Sequence, residues 1–82
     1  MTLEEVKTRL RDIVAEVCKI PANAVSDDTT IDEDLQLPSI AFVELQVTVE
    51  DEFDMILDPV EVVELNRLGL IAKAIHEKLA AA

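Results

Sequence analysis

The 82-residue chain sets 18 acids against seven bases, a net charge of −11, and although half its residues are apolar, Phe42 and Phe53 are its only aromatics. That length supports one small domain (1–82) with a modest core of Leu, Ile, Val and Ala. The charge argues against nucleic acid or an anionic membrane as a partner and makes a basic protein surface the natural complement. The opening Met1-Thr2-Leu3-Glu4-Glu5 shows neither the basic start of a signal peptide nor a long apolar run. A single cysteine, Cys18, cannot close an internal disulfide, which suits the cytoplasm.

Leu3, Val6, Leu10, Ile13, Val14 and Val17 recur at helical spacing and predict a first helix from Thr2 to about Lys19. Thr2 and Glu5 have capping-box spacing, and Met1 and Val6 are placed for a hydrophobic staple. Cys18 borders this stripe with no histidine or basic cluster beside it, so it reads as a small, partly buried hydrophobe. Ile20-Pro21 ends the helix.

Residues 22–37 form a long connection for so small a domain, which must be functional or pinned down. Val25, Ile31, Leu35 and Leu37 are the expected pins. Its acids invite a calcium-loop reading. Counted from Asp32, however, the sixth and twelfth positions hold Leu37 and Val43 instead of glycine and glutamate. A solvated acidic loop is the better reading.

Leu37 precedes a proline and is pushed toward extended geometry, so the second helix must begin at Pro38 or Ser39 and runs to about Phe53. This puts the Ser39 hydroxyl at a helix N-terminus, where open N–H groups and the dipole favour a negative charge. Taken alone, the pattern reads more simply as serine capping its own helix. Phe42, Val43, Leu45, Val49 and Phe53 offer a core-facing set. Ile40, Gln46 and Val47 lie near its edge, and Glu44, Glu50 and Asp51 point toward solvent. An acidic helix exposing a few aliphatics has the character of a docking surface.

After a short link over 54–57, Asp58-Pro59-Val60-Glu61 signals a third helix to about Leu65, with an aspartate N-cap and a glutamate at capping-box spacing. Asn66 is placed to cap a fourth, in which Leu68, Ile71, Ala72, Ile75 and Leu79 repeat at helical spacing. Gly69, the only glycine, falls in its first turn, where it does least harm. His76 lies off the stripe as a surface residue, and the closing Ala80-Ala81-Ala82 is expected to fray. No metal-ligand cluster, phosphate-binding loop, dinucleotide motif or nucleophile elbow is present, and one histidine far from one cysteine gives a catalytic dyad little to draw on. The sequence therefore predicts an all-α bundle of three main helices and one short one, likewise without an enzyme's machinery.

Helix, long acidic loop, Asp34-Leu35-Gln36-Leu37-Pro38-Ser39-Ile40, an acidic helix ending Glu50-Asp51-Glu52-Phe53-Asp54, a short helix and an amphipathic fourth resemble an acyl carrier protein along essentially the whole chain. The resemblance implies a free-standing, monomeric, non-catalytic carrier. By position Ser39 matches the serine to which a phosphopantetheinyl transferase attaches 4′-phosphopantetheine from coenzyme A. The arm would then hold acyl, polyketide or aminoacyl intermediates as thioesters. Glu44, Glu50 and Asp51 match the second-helix acids that meet basic docking surfaces of acyl- or aminoacyl-loading and condensing enzymes, and Leu37, Ile40 and Val47 match the apolar contacts around the attachment site. Two positions depart from the family pattern: Gln36 stands where glycine is usual after Asp-Leu, and Pro38 where an aspartate precedes the serine. Either Ser39 takes over part of the lost capping, or proline's fixed φ holds the helix start. Ile40 after the serine leans toward secondary-metabolite assembly, with fatty-acid synthesis or an unmodified acidic interaction module as the alternatives.

The span from Ile20 to Asn66 holds no lysine or arginine and most of the acids, while all the bases lie in the outer helices. Like-charge repulsion there should oppose compaction. Mild acidification should at first stabilise, because protonating crowded carboxylates relieves that repulsion, which requires their folded pKa values to lie above the unfolded ones. In thermal melts at low ionic strength, added sodium, magnesium or calcium should each raise Tm without sharp selectivity, since about 0.1 M salt screens beyond about 10 Å. A Tm indifferent to all three would show the acids too dispersed to strain the fold.

Overall fold

The computed structural model describes residues 1–81. Four α-helices, α1 (Leu3–Cys18), α2 (Ser39–Phe53), α3 (Pro59–Leu65) and α4 (Leu68–Ala81), form the expected all-α bundle. A 3-10 turn (Ala22–Ala24) and a π-helical turn (Ile31–Leu35) interrupt the long first connection. Ala82, part of the expected frayed end, lies outside the described residues; α4 itself continues to Ala81.

The first helix follows its local code. Thr2 accepts from the Glu5 N–H while the Glu5 carboxylate accepts from the Thr2 N–H, so the capping box is complete. Val6, Leu10, Ile13 and Val14 are buried, and Val6 and Val14 are wholly enclosed with Ile75 of α4. Enclosing such a side chain contributes about 1.5–3 kcal/mol. Helix α1 packs chiefly on α4 and then on α2. Met1 stays 56% exposed, which leaves little of the expected staple. His76 is half-buried rather than on the surface.

The long connection is strapped down by more than its apolar pins. Val25 and Ile31 are buried and Leu35 and Leu37 pack against the core, as expected. Thr29 is buried as well, its hydroxyl accepting from the Ser26 N–H. Around the π-helical turn, the Leu35 N–H reaches five residues back to the Thr30 carbonyl. Thr30 and Asp34 cap this turn reciprocally: the Asp34 N–H donates to the Thr30 hydroxyl, and the Asp34 carboxylate accepts from both the N–H and hydroxyl of Thr30. Part of the acidic stretch is thus local scaffolding rather than a solvated face.

Asn66 does not cap α4. It ends α3 at φ 62° and ψ −41°, and the Arg67 N–H turns back to the Leu65 carbonyl at 2.6 Å, the hydrogen bond of a tight γ-turn. Its side chain is committed elsewhere, to the π-helical turn. The start of α4 is instead satisfied by carbonyls of the first connection: the Leu68 N–H donates to Thr29 and the Gly69 N–H to Asp27. Gly69 is therefore required for close approach, since a Cβ there would sit 2.9 Å from the Asp27 Cβ. Replacing it with alanine should destabilise by about 1–3 kcal/mol from crowding, even though alanine is the better helix former by up to about 1 kcal/mol. Urea unfolding of Gly69→Ala checks this, and an unchanged or raised midpoint would count against the contact.

Candidate functional site

Ser39 is the first residue of α2, exposed, with Pro38 before it as the N-cap at φ −67°. No side chain caps the helix. Ser39 therefore does not cap its own helix, and of the two ways to start α2 the structure uses proline's fixed φ. The first amides of α2 remain open to an anion, with no acid in the first turn to repel one.

Three turns of α2 carry the exposed stripe. Ile40, Glu44, Val47 and Asp51 stand at i, i+4, i+7 and i+11 and share one face. Ile40 is 84% and Val47 51% exposed, and both acids are exposed. Val43 belongs with them at 59% exposed, and not with the core, where Leu45, Val49 and Phe53 are buried. Among the described residues neither Glu44 nor Asp51 has an ion-pair partner, whereas Glu52 is held by Arg9 at 2.6 Å. The bases of α1 and α4 reach into the acidic span here and at Lys7–Asp27 and Lys78–Glu61.

Glu50 leaves this set. It is half-buried, and its carboxylate accepts from the Leu57 N–H at 2.8 Å while Gln46 donates to the Leu57 carbonyl at 3.2 Å. Two side chains of α2 thus hold both backbone groups of the link to α3, and seat the Leu57 side chain in the core.

Beside Ser39 opens a cavity of about 480 Å³. Leu37, Phe42 and Val43 line it from the α2 side, and Asp32, Gln36 and Asn66 give it a polar edge. Of these Leu37 is half-buried against the core. Gln36, at the position where the family pattern has glycine, adopts the left-handed conformation at φ 49° and ψ 48°. The Asn66 side chain accepts from the N–H groups of Ile31 and Asp32 and donates to the Asp32 carboxylate. That Asn66 bond, with a second from the Glu33 N–H, holds the Asp32 carboxyl below its usual range. Glu5 is lowered too, by its capping bonds to Thr2. A carboxyl depressed in the folded state stabilises above its unfolded pKa, and that support is lost as pH falls through the folded value. At these two groups acid loosens the fold, opposite to the relief that charge crowding suggests. Burial pushes the Cys18 thiol up, consistent with a structural cysteine.

Sequence reasoning missed Asp32, Asn66 and the α3 flank of the site. Val63 lines the same cavity and, with Ile56 and Val60, is more than half exposed. The apolar pair at i and i+3 in so short a helix was the available signal.

The phosphopantetheine attachment-site family matches residues 8–75. The chain is 32% identical over 69 residues to an acyl carrier protein of Acidothermus cellulolyticus, covering 84% of this chain and 82% of that one. It is 29% identical over 69 residues to an acyl carrier protein of Saccharopolyspora erythraea, covering 84% and 73%. In structure it is similar to the acyl carrier protein from Enterococcus faecalis, with a TM-score of 0.75 and 28% identity over 94% of this chain and 98% of that one.

Glu50→Ala should cost about 1–3 kcal/mol by orphaning the Leu57 N–H, whereas Glu44→Ala and Asp51→Ala should stay within about 0.5 kcal/mol. Denaturant midpoints of the three variants measure the difference; equal effects would return Glu50 to the solvent-facing set.

Proposed function

The chain belongs to the acyl carrier protein family, bearers of a phosphopantetheine attachment site, and on that premise we propose that Ser39 is the residue modified. Members of this family are non-catalytic carriers, and the arm, once attached, supplies a thiol that holds cargo as a thioester. The observation that carries the assignment is the exposed Ser39 at an uncapped helix start beside a roomy cavity. These features fit the group: the hydroxyl is accessible, and the open amides of α2 favour the phosphodiester charge left on the serine. In the transfer the Ser39 oxygen bonds to the phosphorus next to the pantetheine of coenzyme A, the nucleotide phosphate leaves, and the serine proton passes to a base on the transferase.

The exposed stripe then becomes the docking face. Glu44 and Asp51, unpaired among the described residues, supply charge to steer a basic partner, and Ile40 and Val47, with Leu37 nearer the core, supply apolar contact. The partners are a phosphopantetheinyl transferase and the loading and condensing enzymes that use the cargo. Ile40 after the serine and the unusual Gln36 and Pro38 support a place in polyketide or peptide secondary metabolism, with residues 1–82 acting as one monomeric carrier domain. The half-buried Cys18, its thiol pushed up, is compatible with a reducing cytoplasm. Among the described residues no helix is long and apolar enough to cross a membrane.

Intact mass after co-expression with a phosphopantetheinyl transferase tests the assignment. Wild type and Ser26→Ala should gain the pantetheine mass, and Ser39→Ala should not. Modification of Ser39→Ala would mean the attachment site lies elsewhere.

A further inference from the structure

Modification of Ser39 brings the diphosphate of coenzyme A up to the stretch from Ile20 to Asn66, which holds no lysine or arginine. The first turn of α2 offers it only open amides. Displacement at phosphorus is assisted by a divalent cation that bridges the phosphate oxygens and neutralises charge on the leaving group. Magnesium is usually held by one or two carboxylates together with the substrate phosphates, and it keeps several of its waters. A carboxylate beside the serine is therefore an obstacle to the diphosphate when alone. With a cation between them it becomes a support.

Among the described residues Asp32 is the one acid that lines the cavity at Ser39. Pro38 precedes the serine, the first turn of α2 contains no acid, and the Asp34 carboxylate is engaged by Thr30. Asp32 is held in a one-sided way. The Asn66 amide donates to it at 3.0 Å and the Glu33 N–H at 2.6 Å, and both bonds end on the same oxygen, Oδ1. Among the described residues no hydrogen bond reaches Oδ2 and no base pairs with the group. The residue is exposed, and its bonds hold the carboxyl below its usual range, so it is charged near neutral pH. A carboxylate with one oxygen tied and the other free has already given up the rotamer freedom that ligation would cost. The turn does not need that carboxylate as its cap, since Thr30 and Asp34 cap it and the Asn66 oxygen already holds two of its N–H groups.

Resting on the assignment of Ser39, we propose that Asp32 is this chain's own contribution to the transfer: its free Oδ2 accepts the hydrated divalent cation that bridges the coenzyme A diphosphate and places that cation beside the serine. As the Ser39 oxygen bonds to phosphorus, the bond from that phosphorus to the bridging oxygen of the diphosphate breaks. Adenosine 3′,5′-bisphosphate leaves with the electron pair, its charge offset by the cation, and the serine proton passes to a base on the transferase. Asp32 exchanges no proton and forms no bond to phosphorus. It is a positioning residue.

The test follows modification of the unmodified chain by a phosphopantetheinyl transferase and coenzyme A. Magnesium chloride is varied at constant ionic strength, and initial rates are read by intact mass. Asp32→Asn keeps an oxygen for Asn66 and Glu33 and removes the charge, whereas Glu33→Gln removes a neighbouring charge that does not line the groove. Losing a group that positions a metal costs about 10–100-fold. Asp32→Asn should accordingly raise the magnesium concentration for half-maximal rate by about tenfold, with Glu33→Gln staying within about twofold of wild type. Asp32→Ser serves if the asparagine variant does not fold. An unchanged magnesium requirement in a folded Asp32 variant overturns the proposal, as does an equal shift in Glu33→Gln, which would make the effect one of general charge. Faster modification of Asp32→Asn at low magnesium also overturns it, by showing a carboxylate that only repels the diphosphate. No added mass on wild type, or added mass on Ser39→Ala, is a different failure, that of the Ser39 assignment.

Discussion

The Asn66 side chain is the tie on which the site depends. It spans from the α3–α4 junction to the first connection, where its oxygen accepts from two consecutive N–H groups and its amide donates to the Asp32 carboxylate. Without it, the π-helical turn would have only its apolar pins Ile31 and Leu35 and one backbone bond to hold it to the rest of the fold, and the polar edge of the Ser39 groove would lose its side-chain hydrogen bonds. The tie also explains why a strained γ-turn with positive φ persists at Asn66. Neighbouring backbone bonds over-determine the geometry, from Ile31 to Asn66, from Leu68 to Thr29 and from Gly69 to Asp27, with Thr30 and Arg67 bridging between them.

What could be read from the sequence was whatever a short window encodes. The Thr2–Glu5 capping box and the Asp58–Pro59 helix start lie within a few residues of the groups they satisfy, and the Pro38–Ser39 entry to α2 is set by proline's own φ. The errors share the opposite property. Asn66 looks like a cap for the helix that follows it, because its partners lie 34 and 35 residues away. Gly69 looks like a tolerated weakness because its neighbour is Asp27, on another segment. Glu50 looks solvent-facing because its acceptor role serves a backbone N–H beyond the end of its own helix. Ser39 itself was legible as a position, while the groove beside it was not. That groove is assembled from three segments.

Glycine economy shapes the helix ends. The positive-φ positions Lys19, Gln36, Asp54 and Asn66 each close a helical segment, and none is glycine. For an L-residue such a conformation costs roughly 1–2 kcal/mol, less for Asn and Asp, whose short polar chains suit it. The one glycine is used instead where backbone from two segments meets, at Asp27. The fold thus accepts conformational strain at its helix ends and keeps its single side-chain-free position for packing. Gln36 shows how the helix ends bear on the groove, since the same left-handed residue lines the cavity beside Ser39.

Charge is distributed by the same economy. The sequence shows bases only in the outer helices and a long acidic span between them, which looks like a separation of a balanced part from a negative one. Folding gives some of these acids a partner and leaves others without one. Lys7 reaches Asp27, Arg9 reaches Glu52, and Lys78 reaches Glu61, each drawing an acid of the middle span against an outer helix. Asp32 and Asp34 are taken up by the π-helical turn, Asp58 by the cap of α3 and Glu50 by the Leu57 N–H. The acids left over on α2 are those of the Ile40–Asp51 stripe. Exposed pairs of this kind add little to stability, so their effect is one of placement: Arg9 offsets Glu52 and the Leu57 N–H engages Glu50, and the acids of α2 left without such a partner are the two that face outward. Which carboxylates of α2 stay without a partner on the stripe that begins beside Ser39 is thus set by which ones the fold has already engaged.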